Sequence, residues 1–480
     1  MNDTDVLVIG GGISGLATAW WLNQAGLSVN VWESGKRPGG KIQSQRQDGY
    51  LTEQAAALVM NFRPEVTQLL QESGLGAAKT ARSPEAEAHR YLLHDGQLIA
   101  MPMRLGRMVC SPLWSWRAKL RLLTEPFIPR GGSEDETVSG FICRRLGREV
   151  LEKAMEPFVA GTLAADPDLA NAAATLPRLT ALESRYGSLV AGILASRVLR
   201  RRQSAITDTF SFDGGMSTLV DTLSRTPGVC LATSHAVNEI AREQHGWRVT
   251  ATTHDGQRSL RARQLVLAAP AGVAARLVKP LDAELAEQLA GIRYAPMTVV
   301  HLGMDRTVVG HPLDGTGFLV PRRENQPVAG NLWMSTLFSG RAPKDKVLLT
   351  AYLGGARAPA TVDWDDGRIV DAALAMLRPV LRLKRSEPEM VRIDRHREAL
   401  PLYHGAYQAR MRAIDARLAR LPGLHLVANY RGGVSVRDRI TSGYTAAQRI
   451  SADASSWRRA GHSTAMVPII PPTAWSRMWQ

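Results

Sequence analysis

Three glycines and an acid carry the first recognisable chemistry in this chain. Gly10-x-Gly12-x-x-Gly15 lies near the start, and Glu33 follows at about the 20-residue interval of a dinucleotide fingerprint. Gly10 permits a tight turn, Gly12 lets a pyrophosphate approach the backbone, and Gly15 lets a helix pack closely on a strand. The amides of Ile13 and Ser14 open that helix, whose unpaired N–H groups and positive dipole end suit phosphate. Glu33, with Ser34 beside it, can accept hydrogen bonds from a ribose diol. Arg37-Pro38-Gly39-Gly40-Lys41 adds a second glycine pair, where the chain can cross the pyrophosphate, and two cations that suit its charge. The other reading of these residues is a structural glycine-rich turn among solvated charges.

The flanking elements decide between the two. Val6 to Ile9 is an apolar run of the kind that forms a buried parallel strand. A helix with Leu16, Ala19 and Trp20 at helical spacing follows, and Gly26 is placed to end it. Val29 to Trp32 is a second buried strand that delivers Glu33. Strand, glycine turn, helix, strand and acid in this order predict a dinucleotide site.

With 480 residues the chain can bury a large core in two or more domains. Hydrophobic content of 45% and charged content of 21% are those of a globular protein. The formal net charge of +15 calls for an acidic partner. No nucleic-acid module or aromatic stacking platform is present, so an anionic membrane surface or a carboxylate-bearing small molecule ranks above nucleic acid. Cys110, Cys143 and Cys230 are far apart and odd in number, against a disulfide framework or zinc site and in keeping with a reducing cytoplasm. The first residues lack the charge pattern of a signal peptide. No apolar run approaches the ~20 residues of a spanning helix.

Further along, residues 62–76 read as a helix. Arg90 to Ile99 reads as a hairpin turning at Asp95-Gly96. Residues 104–200 read as mostly helical. There Arg104, Arg107, Arg117, Lys119 and Arg121 interleave with Leu105, Met108, Leu113, Trp114, Trp116, Leu120, Leu122 and Leu123. That mixture suits a bilayer interface or an amphipathic helix packed on the protein's own core. Arg197 and Arg200-Arg201-Arg202 are a second lipid contact or an exposed helix end. Trp247–Thr253, Leu260–Arg263 and Gln264–Ala269 read as strands. Gly317–Pro321, Leu332–Phe338 and Val347–Gly354 read as strands of one sheet, with helices at 367–382 and 407–421. Gly423 to Asp438 is a strand, a glycine turn and a helix start, where Gly433, Val434 and Val436 can present backbone groups to a cofactor. Residues 451–480, with Trp475 and Trp479, read as a poorly ordered tail. No catalytic triad or metal cluster is apparent, and His301, His311, His396 and His404 lack ligand spacing.

Several stretches together carry a resemblance: Gly10–Gly15 with Glu33 and Arg37–Lys41, Arg90-Tyr91-Leu92, Glu156 to Gly161, Phe210–Gly215, Gly317–Pro321, Thr336–Pro343, Ala351–Gly355 and Gly432–Ile440. In their order and spacing, from Val6 to about Ile450, the chain resembles the oxygen-dependent protoporphyrinogen oxidase family of the flavin amine oxidase superfamily. The resemblance implies an α/β fold: an FAD-binding Rossmann-like domain, an inserted α+β substrate domain and a helical membrane-binding-type insertion. The expected segments are 1–60, 206–280 and 406–450 for FAD, 61–103 and 281–405 for substrate, 104–205 for the helical insertion and 451–480 for the tail.

It implies FAD as cofactor, oxidation of protoporphyrinogen IX to protoporphyrin IX, and O2 as acceptor. Chemistry would be driven by the flavin, with no catalytic protein nucleophile and no metal. Arg90 matches an arginine that holds a substrate propionate. Gly161 matches a position lying over the macrocycle, and Phe318, Leu319 and Tyr352 match apolar walls. Val237 is counted with the cofactor-binding residues. The expected location is cytoplasmic, peripheral on the inner membrane face, with a homodimer left open.

Many members of the amine-oxidase branch carry a lysine beside the flavin, but no lysine occurs between Lys279 and Lys344, against an ordinary amine oxidase. Three departures keep a different porphyrinogen, or a heterocyclic or amine substrate of specialised metabolism, open. Ala55-Ala56 replaces Gly-Pro, Leu400-Pro401-Leu402-Tyr403-His404-Gly405-Ala406-Tyr407 replaces Leu-Pro-Gln-Tyr-x-x-Gly-His, and Arg439 replaces a cysteine.

Overall fold

β1 (Thr4–Ile9) is apolar from Val6 onward and fully buried there, as a strand covered on both faces must be. In the computed structural model, which describes residues 3–101, 113–200, 208–384 and 387–461, it lies at the centre of the first sheet. Its parallel neighbours are β2 (Val29–Trp32) and β13 (Gly256–Leu267), and β10 (Val229–Ala232) continues the sheet beyond β2. β19 (Leu424–Leu426) runs parallel to the end of β13, while β12 (Gly246–Thr253) and β11 (Ala236–Glu243) extend the other part antiparallel. Sequence reading divides 260–269 into two strands; the structure forms one, because β12 pairs with its first half and β19 with its last.

Two helices cover one face of this sheet. The first, α1 (Ile13–Gln24), packs against the final helix (Val436–Gly461), with Trp21 edge-on to Tyr444 at 4.8 Å between ring centroids. A Cβ on Gly443 would stand 2.9 Å from the Thr18 amide nitrogen, so glycine lets the two helices touch. The final helix runs to Gly461, so residues 451–461 continue it rather than begin a tail. Helix formation there follows from the apolar stripe of Ile440, Ala446, Ala447, Ile450 and Ala454, all buried in the same cluster as α1. The helix Pro64–Glu72 adds Val66, Leu69 and Leu70 to that cluster.

Two small sheets join this body to the next. β3 (Ser44–Gln47) and β4 (Tyr50–Glu53) form a hairpin, and β9 (Asp208–Phe212) lies between β5 (Val59–Asn61) and β6 (Lys79–Ala81). The second large sheet has the order β18 (Met390–Pro401), β14 (Tyr294–Asp305), β17 (Lys346–Gly354), β16 (Val328–Trp333), β15 (Gly317–Leu319), β7 (Tyr91–His94) and β8 (Gln97–Ala100). The β7–β8 hairpin turns at Asp95 and Gly96, both at positive φ (51° and 75°), the requirement of a type I′ turn. Leu332–Phe338 is not a strand throughout: β16 ends at Trp333, and Met334–Leu337 is a helical turn whose Met334 and Leu337 pack with Tyr50 and Phe338.

Alternation along these strands gives the second sheet two faces. Val300, Leu302, Leu349, Ala351 and Leu353 point one way, into a core with Ile369, Leu374 and Leu377 of the helix Asp366–Leu381. Met297, Val299, His301, Thr350 and Tyr352 point the other way. Residues 113–200 are helical and carry their own core of Leu113, Trp114, Val138, Phe141 and Ile142. Glu125 and Arg145, both fully buried, are ion-paired at its centre, and Glu125 also accepts the Leu189 amide at 2.9 Å at the start of the helix Leu189–Arg200. Arg104, Leu105, Arg107, Met108, Arg201, Arg202 and the residues from 462 onward, with Trp475 and Trp479, lie outside the described residues, as do the side chains of Arg197 and Arg200. Among the described residues no helix is long and apolar enough to cross a membrane.

Candidate active site

The glycine turn after β1 is built as its sequence requires. Gly10 has φ +108°, and a Cβ on Gly15 would stand 1.9 Å from the Gly10 carbonyl oxygen. A Cβ on Gly12, by contrast, would meet nothing within 4 Å, so the backbone there borders open space. Gly12 is the N-cap of α1 and no side chain caps it, which leaves the amides of Ile13 and Ser14 available at the positive end of the helix. Gly39, at φ +103°, donates its amide to the Gly11 carbonyl at 2.7 Å and bridges to Gly12. Gly40 lies alongside: a Cβ there would be 3.5 Å from the Gly12 Cα. The result is a seam of bare backbone beside a helix N-terminus, which fits a diphosphate.

Glu33 is fixed by two backbone amides, Gly11 at 2.7 Å and Gly35 at 2.7 Å, and by the Ser34 hydroxyl at 3.3 Å. One oxygen is held from each side, and lone pairs remain for a ligand diol. The start of β11 with Val237 approaches the same corner, where His235 donates its amide to the Glu33 carbonyl and its ring lies 5.3 Å from Trp32. The two cations of the loop are engaged with the protein itself. Arg37 donates to the carbonyls of Pro38, Gly40 and Ile42 and to Gln43. Lys41 donates to the Glu398 and Ala399 carbonyls of β18, and burial holds its ammonium below the usual lysine range.

The final helix brings a second backbone cradle to the same edge. Gly443 meets α1 at Ala17-Thr18, so the two helices begin within about one turn of each other at the carboxyl edge of the parallel strands. Gly433 has φ +102°, and a Cβ there would be 2.5 Å from the Asp438 carboxylate. Ser435 and Asp438 form a reciprocal cap, hydroxyl to carboxylate at 2.6 Å and Asp438 amide to hydroxyl at 3.2 Å. Val434 and Val436 flank that cap.

On the second sheet the structure brings Gly161, Leu319 and Tyr352 together. A Cβ on Gly161, in the helix Glu156–Leu163, would stand 2.5 Å from Leu319 Cδ2. Leu319 pairs with Gly330, which pairs in turn with Tyr352. The Tyr352 hydroxyl makes no hydrogen bond among the described residues, and burial pushes its pKa up. Phe318 is placed differently. It packs with Trp333 and Val300 in the core on the opposite face, because adjacent residues of a strand alternate. Arg90 precedes β7, whose Tyr91 and Leu92 pair with Phe318 and Leu319, so Arg90 shares the face of Leu92 and Leu319. Its guanidinium is partly buried and makes no hydrogen bond or ion pair among the described residues. Burial first, then the charge of Arg82, disfavours its charged form, while Glu87 favours it. An arginine stays protonated regardless, so this site favours an anion.

Two features of the site escape sequence reading. Glu53 and Arg341 are a buried ion pair at 2.9 Å, each about 1–2% exposed. Arg439 and two tyrosines grip the loop before the final helix. The only sequence signal for either was a departure from pattern, Ala55-Ala56 beside Glu53 and Arg439 itself. His301 is buried on the site face and bonded to Thr350 at 2.9 Å; burial lowers its imidazole pKa, against Asp394, which raises it. His94, Asp95 and Glu324 cluster at the β7–β8 turn, but Arg323 pairs with Asp95 and Glu324 there, while Glu324 accepts the Asp95 and Gly96 amides.

The sequence profile of flavin containing amine oxidoreductases matches residues 13–451. The chain belongs to the flavin containing amine oxidoreductase family. It is 30% identical to protoporphyrinogen oxidase 2 of Arabidopsis thaliana over 483 aligned positions, covering 93% of both chains. It is 27% identical to coproporphyrinogen III oxidase of Bacillus subtilis, covering 92% of this chain and 96% of that one. Its structure superimposes on the crystal structure of a candidate protoporphyrinogen oxidase from Exiguobacterium sp. 255-15 with a TM-score of 0.78, 25% identity and 94% and 100% coverage. As a member of this family the chain is an FAD-dependent oxidoreductase with a mixed α/β flavin amine oxidase fold. The seam at Gly12, Gly39 and Gly40 and the fixed carboxylate of Glu33 fit the diphosphate and ribose of that cofactor.

Proposed function

We propose that this flavin oxidoreductase oxidises a porphyrinogen, protoporphyrinogen IX to protoporphyrin IX, with O2 as the final acceptor. The observation that carries it is Arg90: a partly buried guanidinium with no hydrogen bond or ion pair among the described residues, on the same sheet face as Leu319 and Tyr352. A flat tetrapyrrole with acid side chains needs an apolar slot and a cation at its rim. The family relatives named for protoporphyrinogen and coproporphyrinogen III support the same substrate class.

Bound FAD supplies the chemistry, accepting a hydride from a saturated bridging carbon. The chain's own residues do the holding. The backbone at Gly12, Ile13, Ser14 and Gly40 takes the diphosphate, Gly10, Gly15 and Gly39 shape the turn that presents it, and Glu33 takes the ribose. Gly433, Val434 and Val436 meet the flavin end. Arg90 fixes a propionate by paired hydrogen bonds. Gly161, Leu319 and Tyr352 exclude water from the ring, and a pyrrole N–H proton leaves to solvent. Each two-electron oxidation would release one hydride equivalent and one proton, and reduction of one O2 to peroxide, with protons drawn from solvent, would balance it.

The test is anaerobic bleaching of the bound flavin. Protoporphyrinogen IX is expected to bleach it at least tenfold faster than any amine or other heterocycle of comparable size. If no porphyrinogen bleaches it while an amine does, the reading is wrong. A second reading, a different porphyrinogen, is favoured by the coproporphyrinogen III oxidase relative, and coproporphyrinogen III in the same panel decides it. Arg90→Ala is expected to raise KM for the porphyrinogen about tenfold or more, the worth of one charge-assisted hydrogen bond near 1.5–3 kcal/mol, with kcat less affected.

The helical region also offers a lipid-facing surface. Trp116, Leu120, Leu123 and Phe127 are 68, 51, 67 and 85% exposed and recur at helical spacing, with Arg117 and Lys119 between them. Aromatic and aliphatic side chains flanked by cations fit an anionic bilayer interface. Sedimentation with vesicles containing anionic lipid is expected to carry the protein down. Trp116→Ser/Phe127→Ser is expected to leave it in the supernatant, and equal recovery of both proteins there would remove this surface from the reading.

A further inference from the structure

The loop that follows β19 is held in an unusual way. Four consecutive carbonyls, Ala428 to Arg431, each accept a hydrogen bond from a buried side chain. Arg439 donates to Ala428 and, at 2.7 Å, to Arg431. The Tyr403 hydroxyl donates to Asn429 at 2.6 Å, and the Tyr407 hydroxyl donates to Tyr430 at 2.9 Å. In a trans peptide the N–H points opposite to the C=O. The amides of Asn429, Tyr430 and Gly432 therefore face away from these three side chains.

Arg439 is 2% exposed. Among the described residues its remaining contact is the Ser442 hydroxyl at 3.2 Å, and its Nε finds no partner there. No carboxylate pairs with it among the described residues; the adjacent Asp438 is engaged with Ser435 and Arg437. A positive charge is thus buried beneath the loop among backbone dipoles, offset in part by the Asp438 carboxylate, which Arg437 also shares, an arrangement that a further anion would relieve. The diphosphate is already served by the N-terminus of α1. The group near Gly433 to Val436 whose charge changes during turnover is the flavin ring.

We infer that Arg439 is a positioning residue that biases the flavin site toward negative charge, favouring the reduced, anionic flavin over the neutral oxidised ring. This rests on the reading above that Gly433, Val434 and Val436 meet the flavin. Its consequence is a raised reduction potential of the bound cofactor, set by one side chain that need not touch it.

The experiment uses the full-length FAD-loaded protein, with Arg439→Met and Arg439→Lys. Two readouts serve: the two-electron midpoint potential, and the dissociation constant of sulfite from loss of flavin absorbance. Arg439→Met is expected to bind sulfite about tenfold more weakly, equivalent to about 30 mV for a two-electron couple. Arg439→Lys, which keeps the charge, is expected to stay within threefold. A Met variant that retains FAD with unchanged potential overturns the inference; the guanidinium then serves only the loop's shape or the diphosphate. Should the Met variant not load FAD, the wild-type potential decides: above that of free FAD supports the inference, at or below it overturns it. A wild-type protein that binds no FAD sinks the cofactor reading itself, a distinguishable result.

Discussion

Gly15→Ala is expected to yield colourless protein. In an ordinary helix the exchange stabilises by about 1 kcal/mol, because alanine loses less conformational freedom. Here the sign reverses. The new Cβ would lie 1.9 Å from the Gly10 carbonyl oxygen and 3.1 Å from Val8 Cγ1. Neither is the free end of a flexible side chain, so α1 must move off β1. Overpacking of a filled core costs about 1–3 kcal/mol, and displacement of the helix start also removes the diphosphate cradle. Flavin absorbance per mole of purified chain and the thermal midpoint measure the two effects. Gly272→Ala, at a helical glycine with nothing within 4 Å of the added carbon, is the control expected to keep both. A yellow Gly15→Ala protein of unchanged midpoint would contradict this account of the turn.

Arg341→Met is expected to be the most damaging single change outside the glycine turn. Arg341 pairs with Glu53 at 2.9 Å and donates to Ser211 and the Phe212 carbonyl. Glu53 also accepts the Met216 amide at 2.9 Å and the Ser44 hydroxyl at 2.7 Å. One buried pair thus ties three distant parts of the chain. Burial pushes the Glu53 carboxyl up and the Arg341 guanidinium down, so for both partners desolvation outweighs the attraction. Removing one member leaves an uncompensated buried charge, which destabilises by about 3–5 kcal/mol. Chemical denaturation of the FAD-loaded protein measures it. Glu53→Gln/Arg341→Met is expected to lose less than the sum of the single changes, since the two share one network. Additive losses would show that the pair is not coupled.

Residues close in sequence made much of the site legible. Gly10 to Gly15, the strands around them and Glu33 form one local unit, so periodicity and turn chemistry were enough to place it. The Asp95-Gly96 turn was legible for the same reason. What could not be read depends on partners far away in the chain. Nothing near Glu53 announces Arg341, and nothing near Tyr403 or Tyr407 announces the carbonyls of residues 428–431. Phe318 and Leu319 look alike in sequence; only the pairing of β15 with β7 and β16 decides which of them meets the Asp366–Leu381 helix. The apolar run of 332–338 suits a strand by composition, yet Met334 and Leu337 reach their cluster only by turning helically at Trp333.

The contact between α1 and the final helix has a consequence for biosynthesis. A ribosome emits β1 and its glycine turn long before the helix that packs beside them. Until then Trp21, Ala17 and Thr18 lack their cover, and the loop of Gly432 and Gly433 does not exist. A nascent chain halted before residue 436 would therefore lack the helix that packs against α1.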